Sequence, residues 1–348
     1  MAATATVTTP QPALAEARRV PDKVSTRLMS IDALRGFDMF WIISGDALIK
    51  AISHWAWATW PALHQYTWLN PEHVERQLEH AKWEGFYFYD LIFPLFLFVV
   101  GVVLPFSLGK LRERGESNTA VYWRIARRTV LLFGLGLLYN GFLHLNFDTM
   151  RYAGVLQRIA ICYGIAAIIV LKFGVRGQAL IAAALLLGYW GLLAFVAAPG
   201  GVAGDYSISG NLAGWVDRHY LPGKIYPEFY GFGDNEGILS TIPAIATALL
   251  GALAGQLLRT SWSAWRKVLL LAVAGAACLA AGTEWGQVFP IIKNLWTSSF
   301  VLVAGGWSLL LLALFYGIID GLRWQAWAFF FVVIGANAIT IYVGRGII

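Results

Sequence analysis

The sequence predicts an all-α integral membrane protein, a polytopic bundle of about nine to ten transmembrane helices with two long extracytoplasmic loops. Of its 348 residues, 58% are hydrophobic and 13% are charged, and the mean hydropathy is +0.61, which lies outside the range of soluble globular chains. The 16 tryptophans and 14 tyrosines suit aromatic belts at both membrane interfaces. The composition therefore predicts a lipid bilayer as partner and no nucleic acid.

Apolar segments recur along the chain at lengths that cross, or nearly cross, a hydrocarbon core of ~30 Å at ~1.5 Å per residue. They are residues 31–52, 86–109, 123–143, 154–172, 178–197, 237–258, 267–282, 298–319 and 326–344. With the N-terminus in the cytoplasm, most of the 26 Lys and Arg residues lie inside, as the positive-inside rule requires. The long connections 53–85 and 198–236 are then extracytoplasmic.

Two regions follow from this pattern. Residues 1–27 are rich in Ala, Thr, Pro and charge and lack the apolar core of a secretory signal, so they are predicted to be a disordered cytoplasmic tail. Residues 28–348 are predicted to be the transmembrane domain. Cys162 and Cys278 lie in apolar runs, which supports neither a disulfide framework nor a thiolate metal site.

Residues 80–109, HAKWEGFYFYDLIFPLFLFVVGVVLPFSLG, place reactive groups directly before a long apolar run. His80 opens the stretch, and Asp90 lies at the start of the apolar part, where a carboxylate needs a partner or a polar cavity. Histidine is a common general base because its reference pKa is near neutrality. This pattern favours a membrane enzyme, although a solvated surface histidine is the default alternative.

A short surface helix is predicted just before His80, with Asn70 as its N-cap and Pro71 as its first residue. His73 and His80 share one face of it. A zinc site completed by Glu residues is an alternative, but this spacing matches no recognised ligand pattern. We therefore predict no metal site.

The first apolar segment carries four ionisable groups. At ~100° per residue, Asp32, Arg35 and Asp38 lie on one face of a helix, and Asp46 returns near the azimuth of Arg35. Charges inside a membrane usually mark functional cavities. The alternative is an interfacial ion pair between Asp32 and Arg35.

The remaining basic residues near the spans leave two interpretations open. Arg151 and Arg158, the latter with Gln157 beside it, either form a structural salt bridge to Asp90 or a first-span aspartate, or contact an anion or substrate in a polar cavity. A second group lies at the inner surface, where positive-inside topology and phosphate binding both explain it. It consists of Arg124, Arg127 and Arg128 together with Lys110, Arg112 and Arg114.

Several segments together resemble one family. They are SIDALRG, HAKWEGFYFYDLIFPLFLFVVG, RYAGVLQRIAICY, DNEGILSTIPAIATALLG, PIIKNLWTSSFVL and GANAITIYVG. Their order and spacing resemble the heparan-alpha-glucosaminide N-acetyltransferase family and its bacterial relatives, over residues 29–348. The resemblance implies a transmembrane acyltransferase that takes acetyl from cytoplasmic acetyl-CoA and passes it to an amino sugar or glycan acceptor across the membrane. It also implies a bacterial inner (plasma) membrane location and leaves a homodimer open.

The resemblance implies one active residue, and the other roles are a hypothesis about the mechanism. The active histidine of the HxxWxG segment is His80, which acts as a general base or carries the acetyl group covalently, oriented by Asp46 or Asp90. Members often carry Asn where this chain has Asp46, and they continue with a further span. The expected donor-binding residues are Arg35, Arg158, Gln157, Arg124, Arg127 and Arg128. The expected acceptor-binding residues are Asp32, Trp83, Glu236 and Asn294.

Three other function classes remain open at this stage. A secondary transporter would also hide charges in its spans. A membrane O-acyltransferase of cell-envelope polysaccharide would share an RxxDxLRG-like opening, seen here as RLMSIDALRG. A non-catalytic membrane scaffold would bind no acetyl-CoA.

Overall fold

The computed structural model describes residues 28–225 and 231–345, and within these ranges the regular structure is helical, with two isolated backbone bridges and no strand. The predicted tail, residues 1–27, lies outside the described residues. The helices are α1 Met29–Phe40, α2 Asp46–Thr59, α3 Pro71–Gln77, α4 Ile92–Glu113, α5 Asn118–Tyr139, α6 Val155–Lys172, α7 Val175–Phe195, α8 Leu212–Tyr220, α9 Thr241–Leu258, α10 Ala264–Trp285, α11 Ser298–Tyr316, α12 Phe329–Ala336 and α13 Ala338–Arg345.

An integral membrane protein is confirmed by the apolar helices. Six helices of the described part are long and apolar enough to cross a membrane: Phe88–Glu113, Val155–Lys172, Val175–Phe195, Thr241–Leu258, Ala264–Trp285 and Ser298–Gly321. A seventh is added if the pair α12 and α13, bent by 60°, counts as one span. The predicted segments 31–52 and 123–143 also form helices but are not among the six, since the first is broken and the second carries three arginines. The expected nine to ten spans are therefore confirmed only in part.

The first apolar segment does not form one continuous helix. α1 ends at Phe40, a π-helical turn spans Trp41–Gly45, and Ser44 leaves the helical region with φ −174° and ψ 16° before α2 begins at Asp46. α2 has no buried residue. Because the break resets the helix direction, the predicted placement of Asp46 on the face of Arg35 is lost.

The centre of the bundle is the contact between α4 and α9, which depends on small residues. A Cβ atom at Gly251 would lie 2.0 Å from the carbonyl oxygen of Phe98, and one at Gly255 would lie 2.3 Å from that of Val102. This G-x-x-x-G spacing lets two membrane helices approach backbone to backbone. It fixes α4, which begins directly after Asp90.

Two segments far apart in sequence meet through short backbone pairings. Glu84 pairs with Ile292 in an antiparallel bridge, and the N–H of Gly85 donates to the carbonyl of Ile291 at 2.9 Å. This pairing brings the loop before α11 against the chain that precedes α4. The loop itself is pinned by Thr297, whose hydroxyl donates to the carbonyl of Pro290 at 2.8 Å.

Candidate active site

His80 and Asp90 form a hydrogen-bonded pair at one end of the bundle. Nδ1 of His80 lies 2.9 Å from Oδ1 of Asp90, which is fully buried. The other carboxylate oxygen accepts the backbone N–H groups of Ala81 and Tyr87, each at 3.1 Å. The carboxylate is therefore held from three directions and fixes one edge of the imidazole ring.

The helix α3 and the turn before α4 position His80 and Asp90. α3 begins at Pro71, and the side chain of Asn70 accepts the N–H of Glu72 at 3.0 Å, so the predicted N-cap is confirmed. The chain then turns through residues 78–87, and Asp90 sits in a short 3₁₀ turn, Phe88–Leu91, that leads into α4. The surface helix and the membrane helix therefore deliver His80 and Asp90 to the same point.

Lys293 joins the pair from the loop before α11. Its Nζ lies 3.3 Å from Oδ1 of Asp90, 2.8 Å from Nδ1 of His80 and 3.4 Å from Nε2. Burial lowers the pKa of Lys293, while the nearby Asp90 carboxylate opposes that shift. Sequence reasoning assigned the neighbouring Asn294 but not Lys293, which lies 213 positions from His80. The signal that could have identified Lys293 was its place in PIIKNLWTSSFVL.

The remaining nitrogen of His80 is available for chemistry. When Nδ1 donates its hydrogen to Asp90, the lone pair is on Nε2. The ring packs against Tyr89 with centroids 4.9 Å apart, and the side chain is 53% exposed at the mouth of a cavity. An imidazole held in this tautomer by a buried carboxylate can accept a proton from a nucleophile.

The cavity runs from His80 into the bundle and has a volume of about 830 Å³. Its wall includes Tyr89 and, along α4, Phe93, Phe96 and Val100. At ~1.5 Å per residue, the cavity extends about 16 Å from Tyr89 to Val100. Arg128 and Tyr163 line it as well. We call its two extremes the His80 end and the Arg128 end.

Cationic and polar groups line the Arg128 end. The guanidinium of Arg128 lies over the ring of Tyr163, 4.7 Å from its centroid. Arg35 also lines the cavity and is paired with Asp32. The junction of the bent pair α12 and α13, around Asn337, also lines the cavity.

A second charged cluster lies near the His80 end. Nε of Arg151 donates to Oδ2 of Asp234 at 2.7 Å, and the same guanidinium pairs with Glu236. Although burial acts to lower it, these two carboxylates raise the pKa of Arg151. The predicted pairing of Arg151 with Asp90 or a first-span aspartate is thus replaced by a pairing with the 234–236 turn.

Asp217 on α8 supports the same turn. Its carboxylate accepts the backbone N–H groups of Asp234 at 3.1 Å and Ile238 at 2.8 Å. Burial raises the pKa of Asp217 to about 6, against the effect of those two hydrogen bonds. The turn it holds carries Asn235 and Glu236 into the cavity wall.

Comparison with known proteins places the chain in a family. No family model matches. The human heparan-alpha-glucosaminide N-acetyltransferase is 30% identical over 328 aligned residues, which cover 77% of this chain and 48% of the relative. The mouse protein of the same name is 27% identical over 329 aligned residues, covering 78% and 49%. The chain belongs to the heparan-alpha-glucosaminide N-acetyltransferase-like family. It spans about half the length of these relatives.

The structure brings together six of the residues predicted for the site. His80 and Asp90 form the pair described above, and four others line the same cavity. These four are Arg35, Arg128, Glu236 and Asn294.

The other predicted residues lie apart from the cavity wall. Asp46 starts α2, beyond the break in the first segment, and Asp32 pairs with Arg35. The indole N–H of Trp83 donates to the carbonyl of Tyr206 at 3.0 Å. Arg124 pairs with Glu116 at 2.8 Å, and Arg127 lies near it on α5.

Arg158 and Gln157 are buried behind the wall. Arg158 contacts the carbonyl of Gly237 at 3.3 Å and the hydroxyl of Ser240, and its guanidinium lies 4.9 Å from the ring centroid of Trp296. Trp296 itself lines the cavity. Within the described part of the chain, Arg158 forms no salt bridge with Asp90 or a first-span aspartate, so the predicted ion pair is wrong. Arg158 instead supports a wall residue from behind.

Proposed function

We propose that this chain is a transmembrane acetyltransferase that moves an acetyl group from cytoplasmic acetyl-CoA to an amino sugar or glycan acceptor on the extracytoplasmic side. The observation that carries the proposal is the His80 imidazole, held by a fully buried Asp90 at the mouth of a cavity that continues to Arg128. The names of the two relatives supply the reaction class and the glucosaminide acceptor.

The proposed topology has about nine to ten spans in a bacterial inner membrane, with the N-terminus in the cytoplasm. The excess of Lys and Arg in the loops that this orientation places inside supports it. The His80 end of the cavity then faces the extracytoplasmic side, and the Arg128 end points towards the cytoplasm.

Acetyl-CoA fits this arrangement as a substrate. A cavity of about 830 Å³ is within the range of ligand sites, ~300–1,000 Å³, and its mostly apolar wall along α4 suits an acyl-pantetheine arm. In this proposal Arg128, and Arg35 beside its partner Asp32, contact the phosphates at the far end, with Arg124 and Arg127 beyond them.

The proposed chemistry is direct transfer assisted by His80. Nε2 accepts a proton from the acceptor amine while the amine nitrogen attacks the thioester carbonyl, and the thiolate of CoA leaves and receives the proton. Asp90 keeps Nδ1 protonated throughout. A covalent acetyl-His80 intermediate, in which Nε2 itself attacks the thioester, is the alternative route.

The test is acetyl transfer by the purified protein from radiolabelled acetyl-CoA to a panel of amino sugars, with identification of the labelled product. His80→Ala should lower transfer by roughly 10²–10⁴-fold while acetyl-CoA still binds. His73→Ala is the matched control, since His73 is an exposed histidine outside the main cavity.

Three results would redirect the proposal. Retained turnover in His80→Ala would remove His80 from the reaction. An acetyl ester as the labelled product would indicate O-acylation, and substrate flux without consumption of acetyl-CoA would indicate a transporter.

A further inference from the structure

The ammonium of Lys293 lies beside the nitrogen at which the proposed proton transfer takes place. Its Nζ is 3.4 Å from Nε2 of His80, and the side chain lines the same cavity. Nζ also lies 3.3 Å from Oδ1 of Asp90 and 2.8 Å from Nδ1 of His80. An ammonium carries three donors, so at least one remains for an oxygen in the cavity even if each of these two atoms accepts one.

We propose that Lys293 is a catalytic residue that stabilises the negative charge on the acetyl carbonyl oxygen during transfer. This inference rests on the proposed function and adds a second group to its mechanism. The acceptor nitrogen forms a bond to the carbonyl carbon, and the π electrons of the carbonyl move to its oxygen, which Lys293 holds. When the carbon–sulfur bond breaks, those electrons return to the carbonyl and the sulfur leaves with its bonding pair.

The geometry allows one oxygen to be near both groups. An amine that donates to Nε2 lies about 3 Å from it, and the carbonyl carbon under attack is one bond further. Its oxygen can then lie within hydrogen-bond distance of an ammonium that is itself 3.4 Å from Nε2. A donor preorganised at the site of a developing oxyanion is worth roughly 10²–10³ in kcat.

The environment keeps this charge effective. The Lys293 side chain is only 17% exposed, and the carboxylate beside it is fully buried, so solvent screens the interaction weakly. Asp90 serves as counter-ion to the ammonium and as hydrogen-bond acceptor for His80. Both groups are therefore positioned by the same carboxylate.

Other cations near the His80 end are poorly placed for this role. Arg151 is engaged by Asp234 and Glu236, and Arg158 lies behind Trp296. Lys82 lines the cavity but is exposed. Lys293 contacts both His80 and Asp90.

The experiment measures kcat and the KM for acetyl-CoA in three variants of the purified full chain. Lys293→Met should lower kcat about 10²–10³-fold with the KM for acetyl-CoA changed by less than about threefold. Lys293→Arg, which keeps the charge, should recover at least about tenfold of that loss. Lys82→Met removes a lysine from the same wall and should lower kcat much less than Lys293→Met.

Each outcome is decisive. Equal kcat in wild type and Lys293→Met, or equal loss in the Met and Arg variants, would overturn the role of Lys293 and leave the proposed function standing. No turnover by the wild type with any acceptor would overturn both. Should Lys293→Met fail to fold, Lys293→Gln keeps a donor to Asp90 without the charge and is expected to show the same loss of kcat.

Discussion

Two charged clusters lie near the same end of the bundle but differ in how far their side chains are exposed to the cavity. In the His80 cluster (His80, Asp90 and Lys293) a fully buried carboxylate holds an imidazole that is 53% exposed to the cavity. In the Arg151 cluster (Arg151, Asp234 and Glu236) the three side chains are 13%, 0% and 8% exposed, and the guanidinium binds both carboxylates. The first cluster exposes an imidazole to the cavity, whereas in the second cluster the guanidinium and the two carboxylates are paired with one another.

We therefore expect the His80 cluster to act in catalysis and the Arg151 cluster to stabilise the fold. Breaking a buried ion pair by removing one partner leaves an uncompensated charge, so damage to the Arg151 cluster should appear as lost stability. In the His80 cluster the imidazole is exposed to the cavity. A substitution in this cluster should therefore appear as lost turnover. The following three substitutions test this contrast.

Asp90→Asn should have the largest effect, a loss of roughly 10³–10⁴-fold in kcat, because an amide no longer selects the tautomer with hydrogen on Nδ1. Acetyl transfer by the detergent-purified variant measures it. Glu79→Gln, an exposed carboxylate next to His80 in sequence, is the matched control. Near-wild-type turnover in Asp90→Asn would show that Asp90 does not orient the base.

Arg151→Met should lower the free energy of unfolding by about 3–5 kcal/mol, since Asp234 and Glu236 would stay buried without their counter-ion. Thermal denaturation in detergent measures the effect, with Arg76→Met at an exposed position as control. In the double variant Arg151→Met/Asp234→Asn the loss should be smaller than the sum of the two single losses. An unchanged melting temperature in Arg151→Met would contradict a supporting role.

Asp217→Asn should change how stability depends on pH. The folded pKa of about 6 exceeds the ordinary carboxyl value, so the wild type has its full contribution from this group below about pH 4 and loses it as pH rises through 6. The loss amounts to about 3 kcal/mol relative to the Asn variant. Melting temperatures of both proteins between pH 4 and 7 measure it, and parallel curves would argue against a raised pKa.

Much of the fold could be predicted because the features that indicate a membrane helix or a helix cap lie within a few neighbouring residues. Long apolar runs, the N-cap at Asn70 and the pairing of a histidine with a carboxylate ten residues later all depend on neighbouring residues. The resemblance to a family then pointed to His80. Arg35 and Arg128 were identified as basic residues within or next to apolar segments, and Glu236 and Asn294 as polar residues at the ends of spans; all four line the cavity.

The remainder depended on contacts between distant parts of the chain. Nothing near Lys293 in sequence shows that Ile292 pairs with Glu84. The apolar run around Ser44 predicts one continuous span, but the backbone of Ser44 is not helical. Asp46 therefore lies in a separate helix. Arg158 shares a helix with cavity residues, but packing against Trp296 and Ser240 turned it away from the cavity.

The pairing of Glu84 with Ile292 sets an order for the biosynthesis of this protein. A ribosome releases His80 and Asp90 long before Lys293, which follows His80 by 213 residues. Until the later loop has been inserted and has docked against Gly85, the imidazole has its carboxylate but not its ammonium. A nascent chain halted before residue 292 would therefore lack the pairing, and the three-residue centre should appear only after most of the bundle has been inserted into the membrane.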